Sequence, residues 1–339
     1  MSKSTYDHIL LDHGSGGKLS HALTRELILP ALSNPMLDRL DDGALFDLQG
    51  GRLAFSTDSY TVDPLFFPGG DIGELAVNGT VNDLAMCGAR PRYLSLALII
   101  EEGFPLADLK RIVASVAQAA QTAAVQVVTG DTKVVPKGAA DGIFINTAGI
   151  GIVPPGVEVG GHLARPGDQI LVSGTIADHG ITVLTQREKM AASEALASDT
   201  RPLNHLVAAM LAASGKIHVL RDPTRGGLGT TLNEIAQQSQ VGLRIREGRL
   251  RINPEVAGVC ELLGFDPLYL ANEGKLIALV ASEDADQVLA VMAQDPAGRQ
   301  AYVLGEVTAE TPGRVILETL IGGERIVDML TGEQLPRIC

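Results

Sequence analysis

Short runs rich in β-branched and aromatic residues alternate with longer helical stretches along almost the whole chain, and this alternation limits the fold to the α/β class. Residues 52–57, 93–100, 125–129 and 142–152 read as strands, with helices between them at 71–87 and 105–123. Asp71 and Glu74 have the spacing of a capping box, and Gly88 supplies a stop. The turn-rich stretch from Val153-Pro154-Pro155-Gly156 to Pro166-Gly167-Asp168 reads as a junction. Beyond it strands are expected at 169–173, 217–220, 241–246, 275–281, 300–306 and 314–318, and helices at 176–189, 202–214, 226–239, 254–263 and 284–294. The expected organisation is a first domain over 1–153, a second over 154–319, and a mobile tail over 320–339 that ends Gln334-Leu335-Pro336-Arg337-Ile338-Cys339. The length of 339 residues, more than one core usually serves, supports two cores.

Charge narrows the partners. With 40 acidic against 27 basic residues the formal net charge is -13, which repels a phosphate backbone, so nucleic acid is excluded as a partner. No run reaches the ~20 apolar residues of a membrane span and no signal-peptide pattern opens the chain, so the expectation is a cytoplasmic protein without a membrane partner. The three cysteines, Cys87, Cys260 and Cys339, fit neither a disulfide framework nor a zinc site. At least one thiol stays free, as in a reducing compartment, and Cys87 and Cys260 read as core residues on apolar helices.

Four features carry chemistry. Carboxylates recur at strand ends or beside glycines, at Asp41-Asp42-Gly43, Asp58, Asp63, Asn82-Asp83 and Gly130-Asp131-Thr132. Such residues serve either a hard cation with nucleotide phosphates or simple turns, and Asp83 resists the second reading because helix interiors disfavour Asn and Asp. His13-Gly14-Ser15-Gly16-Gly17-Lys18 is either a phosphate-cradling loop or a surface turn, and it is not a Walker A loop, because Asp12 and Leu19 stand where that motif needs Gly and Ser or Thr. Asp222-Pro223-Thr224-Arg225-Gly226-Gly227-Leu228, between a strand and a helix, suits either an anion at a helix N-terminus or a capped connection. Cys339, on a polar tail of about 15 residues that reaches roughly 50 Å extended, is placed for transfer chemistry. The neighbouring α-carboxylate opposes thiolate formation, and Arg337 is the expected counterweight.

Taken together, Asp-Ser-Tyr-Thr-Val-Asp-Pro-Leu-Phe-Phe-Pro-Gly-Gly at 58–70, Asn-Gly-Thr-Val-Asn-Asp-Leu-Ala-Met at 78–86, Thr-Gly-Asp-Thr-Lys-Val-Val at 129–135, the 222–228 motif and the terminal Pro-Arg-Ile-Cys resemble the HypE family of hydrogenase maturation factors over the full chain. The resemblance implies a two-domain fold of the aminoimidazole-ribonucleotide synthetase (PurM-like) type and a homodimer in which the N-terminal sheets pair. It further implies ATP held with Mg²⁺ at Asp42, Asp58, Asp83 and Asp131. Gly14, Ser15, Gly16 and Gly17 would close over the phosphates, with Asn82, Asp222, Thr224, Arg225 and Gly226 as further nucleotide contacts.

The implied reaction starts from a carbamoyl group that a HypF carbamoyltransferase places on Cys339. ATP-dependent dehydration then yields a thiocyanate, with Glu273 or Lys133 as base, and the cyanide passes on through HypC and HypD. Within the superfamily, selenophosphate synthetase would need a reactive cysteine near the N-terminus, yet none precedes Cys87, and thiamine-monophosphate kinase leaves Cys339 without a task. A nucleotide-switched, non-catalytic carrier is the alternative outside the enzymes.

Overall fold

The computed structural model describes residues 10–34, 37–48, 50–190, 195–332 and 334–339. Two short helices, α1 (Lys18–Leu23) and α2 (Leu29–Leu32), precede β1 (Ala44–Leu48) and β2 (Gly51–Tyr60). A two-residue ladder, β3 (Phe66–Phe67) with β4 (Gly70–Asp71), leads into α3 (Ile72–Met86), β5 (Arg90–Glu101), α4 (Leu106–Thr122), β6 (Gln126–Val135) and β7 (Ile143–Val153). The second half runs β8 (Gln169–Val172), α5 (Asp178–Arg187), α6 (Asn204–Ala213), β9 (Ile217–Arg221), α7 (Gly227–Ser239) and β10 (Gly242–Arg246). It closes with α8 (Pro254–Leu263), β11 (Ile277–Val280), α9 (Ser282–Met292), β12 (Tyr302–Thr308), β13 (Val315–Glu318) and β14 (Glu324–Val327).

The first sheet has the order β1-β2-β7-β5-β6 and the second β14-β13-β10-β12-β8-β11-β9. In the first, alternation decides which face is covered. Ile143, Ile145 and Thr147 of β7 and Ala54, Ser56 and Tyr60 of β2 are buried on the side of α3 and α4, whereas Phe55, Tyr93, Ile99, Ile150 and Ile152 lie exposed on the other. β6, parallel to β5 at the edge, has no buried residue. In the second half α7 lays Leu228, Leu232, Ile235 and Ala236, one stripe at helical spacing, against Leu243, Ile245 and Val315. No described helix is long and apolar enough to cross a membrane.

Most elements fall where the sequence places them. Asp71 caps α3 as the spacing requires, accepting from the backbone N–H of Gly73 at 2.8 Å and of Glu74 at 3.1 Å. The short elements α1, α2, β3 and β4 were not expected, and three further differences bear on the site. β1 was not foreseen, because its five residues are read locally as a continuation of the Asp41-Asp42-Gly43 turn and gain strand geometry only by pairing with β2. β6 continues through Gly130-Asp131-Thr132 to Val135 rather than ending at 129. The segment expected as a tail from residue 320 forms β14 at 324–327 and ends docked, with Leu335, Ile338 and Cys339 inside an apolar cluster shared with Tyr60, Ile72, Ile181 and Leu270. Residues 1–9 of the expected first domain and 191–194 of the second lie outside the described residues.

Candidate active site

Carboxylates from separate elements converge at the seam between the two halves. Asp42 precedes β1, Asp58 lies on β2, Asp83 on the last turn of α3, and Asp222 directly follows β9. Ser56 fastens the first strands to the helix, its Oγ lying 2.7 Å from Asp83 Oδ2 and 3.0 Å from the Asp42 carbonyl oxygen. Asp42 Oδ2 pairs with Arg221 Nε at 2.8 Å, Arg221 Nη2 with Glu234 Oε2 at 2.6 Å, and Glu234 Oε1 with His21 Nε2 at 2.9 Å. A cleft of about 400 Å³ opens beside them, lined by His21, Asp42, Phe55, Ser56, Arg221 and Glu234.

Burial dominates the electrostatics. Desolvation pushes Asp42 up to about 8 against the pull of Arg221, and Asp222 up to about 6 against the same guanidinium. Desolvation, then the charges of Asp222, Asp58 and Asp42, raise Asp83 well above the usual carboxylate range, and desolvation also raises Asp58 although Arg225 opposes it. Glu273 is raised most clearly of the candidates for proton transfer, by burial first and then by Asp199, Asp222 and Asp58. Its Oε1 is buried and has no hydrogen-bond partner among the described residues. Carboxyl groups therefore outnumber the guanidinium groups of Arg221 and Arg225 and tend to hold protons, and hard oxygen donors so gathered suit a divalent cation whose charge displaces those protons. Among the described residues no three His, Cys, Asp or Glu side chains yet form a metal cage by themselves.

Beside this pocket the glycine segment, the 222–228 loop and the chain end meet. Gly226 has φ +78° and Gly227 φ +62°, and a Cβ on Gly227 would lie 2.6 Å from the Leu270 carbonyl oxygen, so only glycine turns the loop into α7 here. A Cβ on Gly17 would lie 2.4 Å from the Leu330 carbonyl oxygen, and Lys18 N–H donates to that same oxygen at 2.7 Å. Thr224 N–H donates to the Asp222 carbonyl at 3.0 Å and Thr224 O accepts from Gly227 N–H at 2.9 Å, which fixes the loop. Ser15, Arg225 and Gly226 line a narrow crevice with Leu335 and Ile338. Gly14 and Gly16 flank Ser15 in that segment.

Arg225 is the shared neighbour of the chemical groups. The negative charge at Cys339 is the first cause that keeps its guanidinium protonated, ahead of burial, which works the other way, and of Asp58 and Glu273, which add to it. Cys339 is 6% exposed, so its sulfur is sheltered from bulk water. Arg337, the expected counterweight, turns elsewhere, with Nε on the Thr61 carbonyl at 2.8 Å and a guanidinium nitrogen on Asp141.

Two expected site residues do not join this pocket, and a third is spent on structure. Asp131 stands on the open face of β6, in register with Ala97, which registers with Asn146 and that with Ser59, three strand spacings or about 14 Å from β2. Lys133, on the same face, forms an exposed 2.7 Å pair with Asp131 rather than reaching Cys339. Asn82 stands at the pocket beside Asp83 but spends its polar atoms on structure, donating to the Arg201 carbonyl at 3.1 Å and the Glu273 carbonyl at 3.4 Å and accepting from Leu203 N–H at 2.8 Å, and so ties α3 to the second half.

The AIR synthase related protein family matches this chain twice, its N-terminal domain over residues 40–153 and its C-terminal domain over 165–318. A carbamoyl dehydratase HypE from Azotobacter vinelandii is 56% identical over 327 residues, covering 96% of each chain. The chain belongs to the HypE family. Two solved HypE structures share its fold: one in a HypE–HypF complex, with TM-score 0.87, 47% identity and coverage of 91% of this chain and 100% of that one, and one in complex with ATP, with TM-score 0.83, 52% identity and coverage of 98% and 100%. For a HypE-family chain, the residues that sequence reasoning missed are His179, Arg187 and Thr61, which hold the last residues, and Asp199, whose Oδ1 accepts the Glu273 N–H at 3.1 Å. Nothing in their local sequence marks them. Only the fold of this HypE-family chain brings α5 and the end of β2 to the terminus.

Proposed function

We propose that this chain converts a carbamoyl group carried on the Cys339 sulfur into a thiocyanate at the expense of ATP, supplying the cyanide ligand of a nickel-iron hydrogenase. The observation that carries the reading is the burial of Cys339 with its negative charge acting on Arg225, the guanidinium that also pairs with Asp58 and feels Glu273. The name of the A. vinelandii relative and the ATP complex of a HypE structure support it.

The chemistry needs an oxygen to leave and two protons to go. Transferred to the γ-phosphoryl group of ATP, the carbamoyl oxygen departs as phosphate, and the nitrogen, stripped of both protons, becomes the nitrile, so Cys-S-C(O)NH₂ and ATP give Cys-S-CN, ADP and phosphate. Glu273, with a free buried oxygen, takes a proton from nitrogen. Arg225 holds the charge that builds on the oxygen, and the docked tail keeps water from the carbamoyl carbon. The residues fit Mg²⁺, which would be held by Asp42, Asp58, Asp83 and Asp222 and would neutralise phosphate charge when bound. Gly14 to Gly17, with Thr224 and Gly226, would close over the phosphates, the N–H groups of Ser15, Gly17 and Thr224 first giving up their bonds to the Asp12 carbonyl, the Ser15 hydroxyl and the Asp222 carbonyl.

The open apolar face of the first sheet, with Phe55, Tyr93, Ile99 and Ile150 exposed, supports a homodimer in which the sheets pair. Asp131 and Lys133 lie on that face, so each would serve the neighbouring copy's site rather than its own. A HypF protein as carbamoyl donor, supported by the HypE–HypF structure, and a HypC–HypD acceptor complete the assignment, in the cytoplasm. Intact mass of the chain after the carbamoyl donor system, without and then with Mg-ATP, tests it. Gain of a carbamoyl group followed by loss of one water is expected, with both steps absent in Cys339→Ala; persistence of either step in that variant overturns the assignment.

A further inference from the structure

The carbonyls of the last four residues all accept hydrogen bonds. Arg187 Nη1 donates to the Pro336 carbonyl at 2.7 Å and Nη2 to the Arg337 carbonyl at 2.6 Å, while its Nε donates to the Asp63 carbonyl at 2.7 Å and so steadies the fork. Asp63 N–H reaches the Arg337 carbonyl at 3.2 Å. His179 Nε2 lies 2.7 Å from the Ile338 carbonyl, and Thr61 gives the Cys339 carbonyl its N–H at 2.8 Å and its Oγ1 at 3.2 Å. His179 and Arg187 are eight residues apart on α5 and therefore share a face.

The chemistry of the partners fixes the His179 ring. A carbonyl only accepts, so Nε2 carries the proton, and Nδ1, 2.8 Å from Ser198 Oγ, accepts the Ser198 hydroxyl proton. Phe67 packs its ring edge-on against the imidazole at 5.5 Å between centroids, which keeps the ring from turning away.

We infer that the α5 face bearing His179 and Arg187, with Thr61 and Asp63 beyond β2, is a binding site for the chain's own C-terminal peptide that grips it by its main-chain carbonyls. His179 and Arg187 are thus positioning residues. Leu335 and Ile338 add apolar burial, but every polar contact named falls on a backbone carbonyl, so a thiol, a carbamoyl thioester or a thiocyanate docks through the same bonds. The inference goes beyond the dehydration reading and stands or falls without it.

Alkylation of the native full-length chain by iodoacetamide, resolved for each cysteine by peptide mass, tests the grip. In the unaltered chain Cys339 should react slowly, as should the buried Cys87 and Cys260. His179→Leu, which fills the space without a donor, should speed Cys339 by about tenfold while Cys87 and Cys260 keep their rates, and His179→Gln, which restores a donor, should return Cys339 toward the original rate. Arg187→Lys, which cannot fork across two carbonyls, should also release Cys339. If His179→Leu exposes all three thiols, Arg187→Lys at the rim decides. A Cys339 rate unchanged in Arg187→Lys, or unchanged in His179→Leu with the other thiols protected, overturns the inference, as does Cys339 reacting in the unaltered chain as fast as a free cysteine peptide.

Discussion

Glu273 is where burial and charge act most directly on the proposed proton transfer, since burial first, and the surrounding carboxylates after it, lift it well above its ordinary value and Arg225 only partly offsets them. A base works in its ionised form, so the dehydration step should slow as pH falls through this raised value and reach its plateau above it. Glu273→Gln should lower the rate of water loss by about 10²–10⁴-fold and remove that ascending limb, leaving carbamoylation of Cys339 intact; a single-turnover mass assay across pH measures both. A variant that keeps the limb would assign the base elsewhere. At this scale the sequence was informative where chemistry and backbone requirement coincide. Asp42 beside Gly43, Asp58 and Asp222 toward strand ends, and Asp83 in a helix that disfavours it all stand out, and the fold gathers them. It misled where adjacency in sequence suggested adjacency in space, because Arg337 is two residues from Cys339 and yet pairs with Asp141, while Arg225, more than a hundred residues away, faces the terminus.

Among the elements, α3 is held by residues that a helix interior disfavours. Gly79 lies against Tyr60, whose hydroxyl oxygen would be 2.2 Å from a Cβ there. Gly to Ala inside a helix ordinarily gains about 1 kcal/mol from propensity. Here Gly79→Ala should instead destabilise by about 1–3 kcal/mol, because Tyr60 is enclosed and must shift, and urea unfolding of the two chains measures the sign. A gain in stability would mean that the Tyr60 ring moves freely. α3 was legible from its Asp71 cap and Gly88 stop rather than from an apolar stripe, since it is buried nearly all round. β1 and β14 were not legible, because four or five residues carry too little pattern until a neighbouring strand defines them. The position of β6 at the sheet edge was invisible for a related reason. Periodicity identifies a strand but does not order strands within a sheet, and so Asp131 and Lys133 were assigned to a pocket that their own chain does not bring to them.

For the whole molecule, the two-domain architecture followed from alternation and length, whereas the closeness of the terminus to the acidic pocket required the completed fold. If Asp131 serves the neighbouring copy, a mixture of Asp42→Asn and Asp131→Asn chains, each inactive alone, should regain about a quarter of the original activity after random reassociation, since half of the dimers are mixed and each mixed dimer has one intact site. No recovery in mixed dimers verified by native mass would place both residues in one chain's site or leave Asp131 outside catalysis. The crowding of carboxylates has a consequence for loading as well. Burial raises Asp42 to about 8 and raises Asp83 and Glu273 in the same direction, so the pocket without a cation stores protons, at neutrality on Asp42. A divalent ion arriving there evicts them, so the heat of nucleotide uptake contains the ionisation enthalpy of whichever buffer receives what the pocket lets go.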